Sequence, residues 1–587
     1  MVTYTDRERK ALLNFVTSVE DPIYAVINVP PVVFGSFGSF FSRNPKSMRD
    51  HLLDAIYGRI KGFEIEGGEE NLRRLASSEL EYLQNLNKVL NKIISQQGDI
   101  DESEFNKLAI THPYKAPHEA IKSGLAKAES FFEMWYGRYS HKSIANTVWL
   151  QFAGENVTQL FARELAYDQL AFFIEQSTRY TKFSTGDCFL DPDIEKAGLK
   201  NEYTKAIDAL INSYEALTQE GQRAFQRDIP FERWLEMRQQ MQTESEKAQQ
   251  AAYKREIDGK VFDIARYALP QAVRTNIAWA LDARSTEFDI AAWKNHPLRE
   301  IQDDAHLIEK HGGMVASSIL KYTEPNPHYA DSLHEYNGDL NLNLKAKKLT
   351  KGARILNPEA ITLDMVVTLL YQRCNPASYN EVLNQVKTMT FEDKIKVLER
   401  VSRTRAERDE WIEIEEVLDL PKVLVEIDTD VGAIRDIRRH QKPDRSESRY
   451  SLKRGHSEPK KLEEYDLKIV QQFREAIEIA FEAEQAIIKA GLPFQAQYTL
   501  PMATNHSIIT SVGIDQLQYT IATRTPTQGH FSYREDFQNV AHAAVRAWPW
   551  ILGYPKYPEG KSFAQVLNEA PLKNVLKVNL EETGLHT

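Results

Sequence analysis

Apolar residues recur along this chain with two different periods, and the switches between them mark out its elements. Residues 21–43 (DPIYAVINVPPVVFGSFGSFFSR) alternate apolar β-branched residues with Pro and Gly, which predicts a strand running into a loop. From 47 to 95, Leu52, Ile56 and Ile60, and then Leu80, Leu83, Leu86 and Leu90, fall at helical spacing. Residues 115–180 read as largely helical, with one strand at 144–152 (IANTVWLQF). The segment 200–258 is polar, helix-prone and free of glycine apart from Gly221, and it predicts a helical hairpin on the surface. Between 323 and 352 the pattern turns polar and irregular, as a linker does. A second α+β unit is expected beyond it, with strands at 422–427 (KVLVEI) and 498–501 and a long helix at 466–489. The expected domains are residues 1–325, carrying the helical insertion at about 200–258, and residues 353–587, joined by a linker at 326–352.

A long-period repeat underlies this order. ARYALP (265–270) has a counterpart in AQYTLP (496–501), and each follows a long helix. NVTQLFARELAYDQ (156–169) and DTDVGAIRDIRRHQ (428–441) hold the matching earlier place, each after a strand-like run. The two halves read as a duplication, with the 200–258 helices accounting for the greater length of the first. No short period of the solenoid kind is present.

Composition changes this picture only at the margins. A chain of 587 residues with 42% hydrophobic and 27% charged residues has the make-up of an ordinary globular protein of two or more domains. Its net charge of −11 argues against general nucleic-acid binding, which needs a basic face. Two cysteines, Cys188 and Cys374, are too few for a disulfide framework or a cysteine-rich metal site, and point to a reducing compartment. The N-terminal MVTYTDRERKALLNF is charged where a signal peptide is apolar, and the longest apolar stretch, near 360–371, carries Asp364. A cytoplasmic protein without membrane contact is the expectation.

Against that acidic average, residues 431–455 (VGAIRDIRRHQKPDRSESRYSLKRG) concentrate Arg435, Arg438, Arg439, His440, Lys442, Arg445, Arg449, Lys453 and Arg454. Such a run is either a solvated face or an anion site. EQSTRY (175–180) gathers a carboxylate, a hydroxyl and a guanidinium where a helical pattern gives way to a polar turn. Ser177 and Arg179 are either an oxyanion pair or the exposed end of a helix. Arg266 is open to the same two readings, a ligand contact or a helix-end ion pair.

These segments resemble the flavin-dependent thymidylate synthase family, whose signature is R-H-R-x-x-S-x-N-E-x-S-x-R-Y. Aligned without gaps, Glu175, Ser177, Arg179 and Tyr180 match its end, while the R-H-R positions hold Tyr167, Asp168 and Gln169, and the middle Ser and Asn are Phe172 and Ile174. His141 and Ser143 sit where the family has a His-x-Ser/Thr pair touching flavin. In the second half Arg439-His440-Gln441 matches R-H-R with its last arginine lost, and SESRY does not align cleanly with the signature's end. The family's A-R-x-x-L-P arginine is kept as Arg266 but is Gln497 in the second half. Its later arginine is Arg524 in the second half and has Lys294 near its place in the first.

The resemblance implies an α+β fold: two tandem flavin-dependent thymidylate synthase-like domains, each a mostly antiparallel sheet with long helices, forming a pseudo-dimer. In the family one subunit supplies the R-H-R and late arginines, and its neighbour supplies the S-x-R-Y loop and the A-R-x-x-L-P arginine. The losses here are complementary, which implies one composite nucleotide site between the two halves. Ser177, Arg179, Tyr180, Arg266, Arg439 and Arg524 would bind the nucleotide, with Arg439 and Arg524 acting on the pyrimidine. His141, Ser143, Glu175, His440 and Gln441 would face FAD. The implied reaction is methylation of dUMP to dTMP with methylenetetrahydrofolate and NADPH as co-substrates, in a homodimer equivalent to the family's tetramer. Gln441, and Asp436 where the family usually has glutamine, leave two alternatives open: a flavin enzyme acting on a related pyrimidine nucleotide, and a non-catalytic nucleotide- or flavin-binding homologue.

Overall fold

The computed structural model describes residues 4–29, 46–57, 142–179, 181–238, 244–325, 347–406 and 416–550, apart from 317, 460, 461, 463, 464 and 526–528, together with Phe34, Arg59 and Met134. His141, Tyr180 and most of the helical pattern predicted within 47–95 lie outside the described residues.

One order of elements occurs twice. Strand β1 (Ile23–Ala25) is followed by β2 (Trp149–Thr158), helix α1 (Gln159–Tyr167) and β3 (Phe172–Glu175). Helices α2 (Lys200–Asp228) and α3 (Glu246–Ala265) come next, then β4 (Arg274–Asp282), α4 (Ala283–Trp293) and α5 (Arg299–Ala316). The later half runs β5 (Gly352–Ile355), β6 (Val423–Asp430), α6 (Val431–Ile437), β7 (Asp444–Glu447), α7 (Leu467–Lys489), β8 (Asn505–Val512), α8 (Ile514–Arg524) and α9 (Phe531–Ala547), with further helices between β5 and β6. The sheets have strand orders β1-β2-β4-β3 and β5-β6-β8-β7, and every pairing is antiparallel. A mixed fold of long helices and antiparallel sheets is therefore observed, with one topology repeated along the chain.

Local chemistry explains the elements. In β6 the residues Val423, Val425 and Ile427 are buried while Leu424 and Glu426 between them are not, the period-two pattern of a half-buried strand. Thr158 and Asp430 end β2 and β6 and cap the helices that follow, accepting from Phe161 N at 3.3 Å and Ala433 N at 2.8 Å. The reading of 144–152 as one strand is corrected: 142–147 forms a 3-10 turn and the strand begins at Trp149. The largely helical reading of 115–180 is corrected as well, since the described part of that segment holds two strands and only one α-helix.

Contacts divide the chain into two compact units, residues 1–193 with 272–344, and residues 194–271 with 345–587. The helical hairpin predicted at 200–258 exists, but not as a surface feature. Tyr203, Ile207, Leu210, Tyr214 and Leu217 make an apolar stripe on α2 that is buried, and α2 packs along α7 within the second unit. At Gly221 a β-carbon would come within 2.6 Å of the Tyr465 hydroxyl and 2.9 Å of Val261, so glycine permits this close approach.

The two L-P segments meet in the same unit. Gln271 N donates to Leu500 O and Met502 N to Leu269 O, both at 2.9 Å, about a Pro270–Pro501 bridge. Just before this bridge 495–499 forms a 3-10 turn, closed by Gln497 N on Phe494 O and Leu500 N on Gln497 O, where the sequence pattern predicted a strand at 498–501. Among the described residues no helix is long and apolar enough to cross a membrane.

Candidate functional site

The second unit builds its polar centre where β6 ends. Asp430 is fully buried; its Oδ1 caps α6, and its Oδ2 accepts from Lys351 Nζ at 2.7 Å, Ser532 Oγ at 2.6 Å and Tyr267 Oη at 3.1 Å. Burial alone would raise this carboxyl, but the Lys351 ammonium and the hydroxyl of Ser532 hold it below the usual range. Beside it Thr429 Oγ1 donates to Asp536 Oδ2 at 2.6 Å. Burial pushes Asp536 up to about 7, opposed by Lys351 and assisted by the charge on Asp430. Asp430 thus ties the A-R-x-x-L-P segment, through Tyr267, to the helix that leads into the basic run.

That helix brings cations from distant parts of the chain onto one carboxylate. Asp436, nearly buried on α6, lies 3.5 Å from Arg266 Nη2 and 3.6 Å from Arg439 Nε, each arginine facing a different carboxylate oxygen. Arg266 is only 3% exposed, and its Nε has no hydrogen-bond partner, while Nη2 also reaches Gly432 O at 3.5 Å. Most buried polar groups are paired, and a buried donor left open costs about 1–3 kcal/mol, so this N–H marks the spot as suited to an additional acceptor. The Arg439 side chain is about half exposed and forms the open side of the cluster.

One turn further on, Arg524 Nε, at the end of α8, donates to His440 Nε2 at 2.5 Å. Burial, with the Arg524 and Arg445 charges, pushes His440 down to about 3, so its ring is neutral and accepts. Arg438 points the other way, into a bidentate ion pair with Glu447 at 2.8 and 2.5 Å, and also donates to the Tyr450 hydroxyl. Arg445 donates to the carbonyls of Arg438 and His440 and so stiffens the turn. The basic run is therefore not a uniform cationic face. Part of it is bound internally, and Arg266 with Arg439 brackets Asp436 from two sides.

The remaining sequence-predicted residues are distributed as follows. Ser177 Oγ accepts from Arg179 N at 3.2 Å in the turn after β3, and Glu175 ends that edge strand opposite Ile277. Ser143 is exposed on the 142–147 turn, and Gln441 is half-buried just past His440. Lys294 is bound to Glu309 at 2.7 Å, and Gln497 is buried, accepting from Tyr450 N at 3.1 Å and donating to Phe494 O at 3.2 Å. Glu447 ends β7 opposite Ile508 as Glu175 ends β3 opposite Ile277. The sheets thus align ESRY with EQSTRY, with two residues fewer, a gap that an ungapped comparison does not reveal.

Sequence reasoning missed Lys351, Asp430, Ser532 and Asp536. Asp430 carried a signal, an N-cap residue just before the basic helix. Lys351 and Ser532 carried none, because each becomes meaningful only beside Asp430.

Comparison with known proteins agrees with the motifs. The family model described as thymidylate synthase complementing protein matches residues 92–316 and 350–550. A UPF0159 protein of Chlamydia muridarum is 23% identical over 570 residues, covering 94% of this chain and 95% of that protein. A flavin-dependent thymidylate synthase of Clostridium tetani is 24% identical over 201 residues, 34% of this chain and 72% of that enzyme. The crystal structure of the Helicobacter pylori flavin-dependent thymidylate synthase complexed with FAD and dUMP aligns at 16% identity over 38% of this chain and 94% of that one, with a TM-score of 0.23, an overlap too small to bear on the architecture. Since the family model spans well over half of its residues, the chain belongs to the thymidylate synthase complementing protein family.

Proposed function

We propose that this protein is a flavin-dependent enzyme that methylates dUMP to dTMP, drawing on methylenetetrahydrofolate and NADPH. The observation that carries this reading is the meeting of Arg266 and Arg439 at Asp436. The resemblance assigns both arginines to the nucleotide, and they arrive from segments far apart in sequence. A buried guanidinium with an open N–H, next to a half-exposed one, fits a phosphate-bearing ligand, because charge-assisted contacts from two directions hold and orient it. Arg524, half-buried at the end of α8, would stand at the pyrimidine, where a cation stabilises negative charge developing on a ring oxygen. Family membership and the named relative in Clostridium tetani support the same activity.

FAD, when bound, would supply the hydride chemistry. His141, Ser143, Glu175, His440 and Gln441 are the residues proposed to hold it. The turn after α6 is rich in cations, and His440, neutral with its Nε2 accepting from Arg524, keeps Nδ1–H as a donor. Ser177, Arg179 and Tyr180 are proposed to complete the nucleotide site, a reading that rests on the complementary retention of motif parts in the two halves of the sequence. A second reading, a related pyrimidine nucleotide as substrate, is favoured by the carboxylate of Asp436.

Purified protein incubated with FAD, both co-substrates and dUMP is expected to retain flavin absorbance and to form dTMP. Arg439→Ala and Arg179→Ala are each expected to weaken dUMP binding by about a hundredfold, the scale on which losing one charged contact acts. Protein that takes up no FAD sinks the flavin reading. Normal dUMP binding by either variant sinks the shared site.

A further inference from the structure

We propose that Asp436 is an internal counter-anion of the nucleotide clamp, and that it makes the site selective for ligands carrying a doubly charged phosphate. The inference rests on the nucleotide reading above and concerns a residue which that reading leaves without a role. Asp436 divides its oxygens between two guanidinium groups, with Oδ2 at 3.5 Å from Arg266 and Oδ1 at 3.6 Å from Arg439. Two arginines on one carboxylate, one of them 3% exposed, would repel each other, and the carboxylate between them offsets that cost.

The neighbouring charges do not take over this task. Glu447 is bound to Arg438, and Asp430 is bound to Lys351. His440 is neutral and engaged by Arg524. Arg266 and Arg439 therefore share a single carboxylate, with the Arg524 and Arg445 charges close by and one buried N–H of Arg266 still open. A ligand with no charge gains little from such a clamp, and one with a single charge must compete with an anion already in place. A phosphate dianion adds two charges and several acceptor oxygens. It can occupy the open N–H of Arg266 and the exposed side of Arg439 despite repulsion from Asp436. The carboxylate thus lowers the affinity for every anion, so that only a doubly charged one binds well enough to be retained.

The prediction is a gain of affinity. In full-length protein, Asp436→Asn keeps the shape and a hydrogen-bonding oxygen but removes the charge. By calorimetry it should bind dUMP about tenfold tighter at low salt, the scale expected for one partly screened charge removed within a few ångströms. Affinity for deoxyuridine, which lacks the phosphate, should not change, and the gain for dUMP should shrink as salt is added. Asp436→Gln, neutral and one methylene longer, should give the same sign and serves if the asparagine variant does not fold.

Unchanged or weaker dUMP binding by folded neutral variants overturns the proposal. So does an equal change for dUMP and deoxyuridine. A variant that binds dUMP as before but loses affinity for dCMP would assign Asp436 to the exocyclic amine of the base, and also overturns it. Inorganic pyrophosphate separates the two readings. If neither form binds dUMP but the variant binds pyrophosphate more tightly, the counter-anion stands and the dUMP reading falls. If dUMP is turned over normally and neither affinity moves, the counter-anion alone falls.

Discussion

The two sheets share strand order and handle charge in opposite ways. Each ends its second strand in a buried helix cap, and each closes with a helix whose second residue reaches that cap. In the first sheet the cap is a hydroxyl and the helix brings the carboxylate: Thr158 donates from N and Oγ1 to Glu300 at 3.1 and 2.9 Å. In the second the roles are exchanged, with Asp430 as cap, Ser532 on the helix, and Lys351 added. The same contrast continues downstream. After α1 the cap residue is Asp168; burial, together with the Asp168 carboxylate, pushes Asp289 well above the usual range. After α6 come Arg438, Arg439 and His440. The cation following α4, Lys294, is bound by Glu309 on α5, whereas Arg524 at the end of α8 reaches His440. A repeated backbone therefore does not imply a repeated site. The cap of the first sheet is neutralised within its own scaffold, whereas the second sheet leads to Arg439, half exposed beside Asp436.

The largest effect that tests this contrast is expected at Lys351. Replacing it by Met leaves Asp430 as a buried charge without its cation and should cost about 3 kcal/mol in urea unfolding. Glu300→Gln in the first sheet keeps a hydrogen-bonding oxygen and should cost only about 1 kcal/mol. Equal losses at the two positions would erase the distinction between an ionic and a hydrogen-bonded cap.

A pH series sharpens the same point. Asp536 has a folded value of about 7 against an ordinary value of 3.8, so between those limits the folded state holds a proton that the unfolded chain has released. Its contribution is complete below about pH 4 and is lost as pH rises toward 7. Asp536→Asn should therefore flatten the fall in stability across that window and leave the variant more stable than the parent at pH 8. A parallel fall in both proteins would show that Asp536 is not responsible.

The smallest effect is expected at the rim of the second sheet. Arg354 pairs with Glu426 and Asp428, but its side chain is 59% exposed. Arg354→Ala should change stability by less than about 1 kcal/mol, and less still in high salt. A larger loss would extend the ionic network from the buried cap to the surface.

Much of the frame was legible from local pattern. The alternation in β6, the apolar period of α7 and the matched ARYALP and AQYTLP segments act over short stretches, where side-chain spacing alone selects strand, helix or turn. The burial of α2 was less legible, because many polar residues accompany its apolar stripe and only packing along α7 determines which face is covered. The alignment of Glu447 with Glu175 was hidden by two missing residues that cross-strand register restores.

By itself the sequence determined elements such as β6 and α7, the matched ARYALP and AQYTLP segments, the family and the identity of the arginines, since these depend on residue type and short-range spacing. Only the tertiary structure decided which cations are bound internally and which remain accessible. Arg438 and Arg439 are adjacent in sequence and chemically identical. One is buried against Glu447, and the other shares Asp436 with an arginine from a distant segment. Coulombic interactions depend on separation in space and on burial, and neither quantity is set by position along the chain.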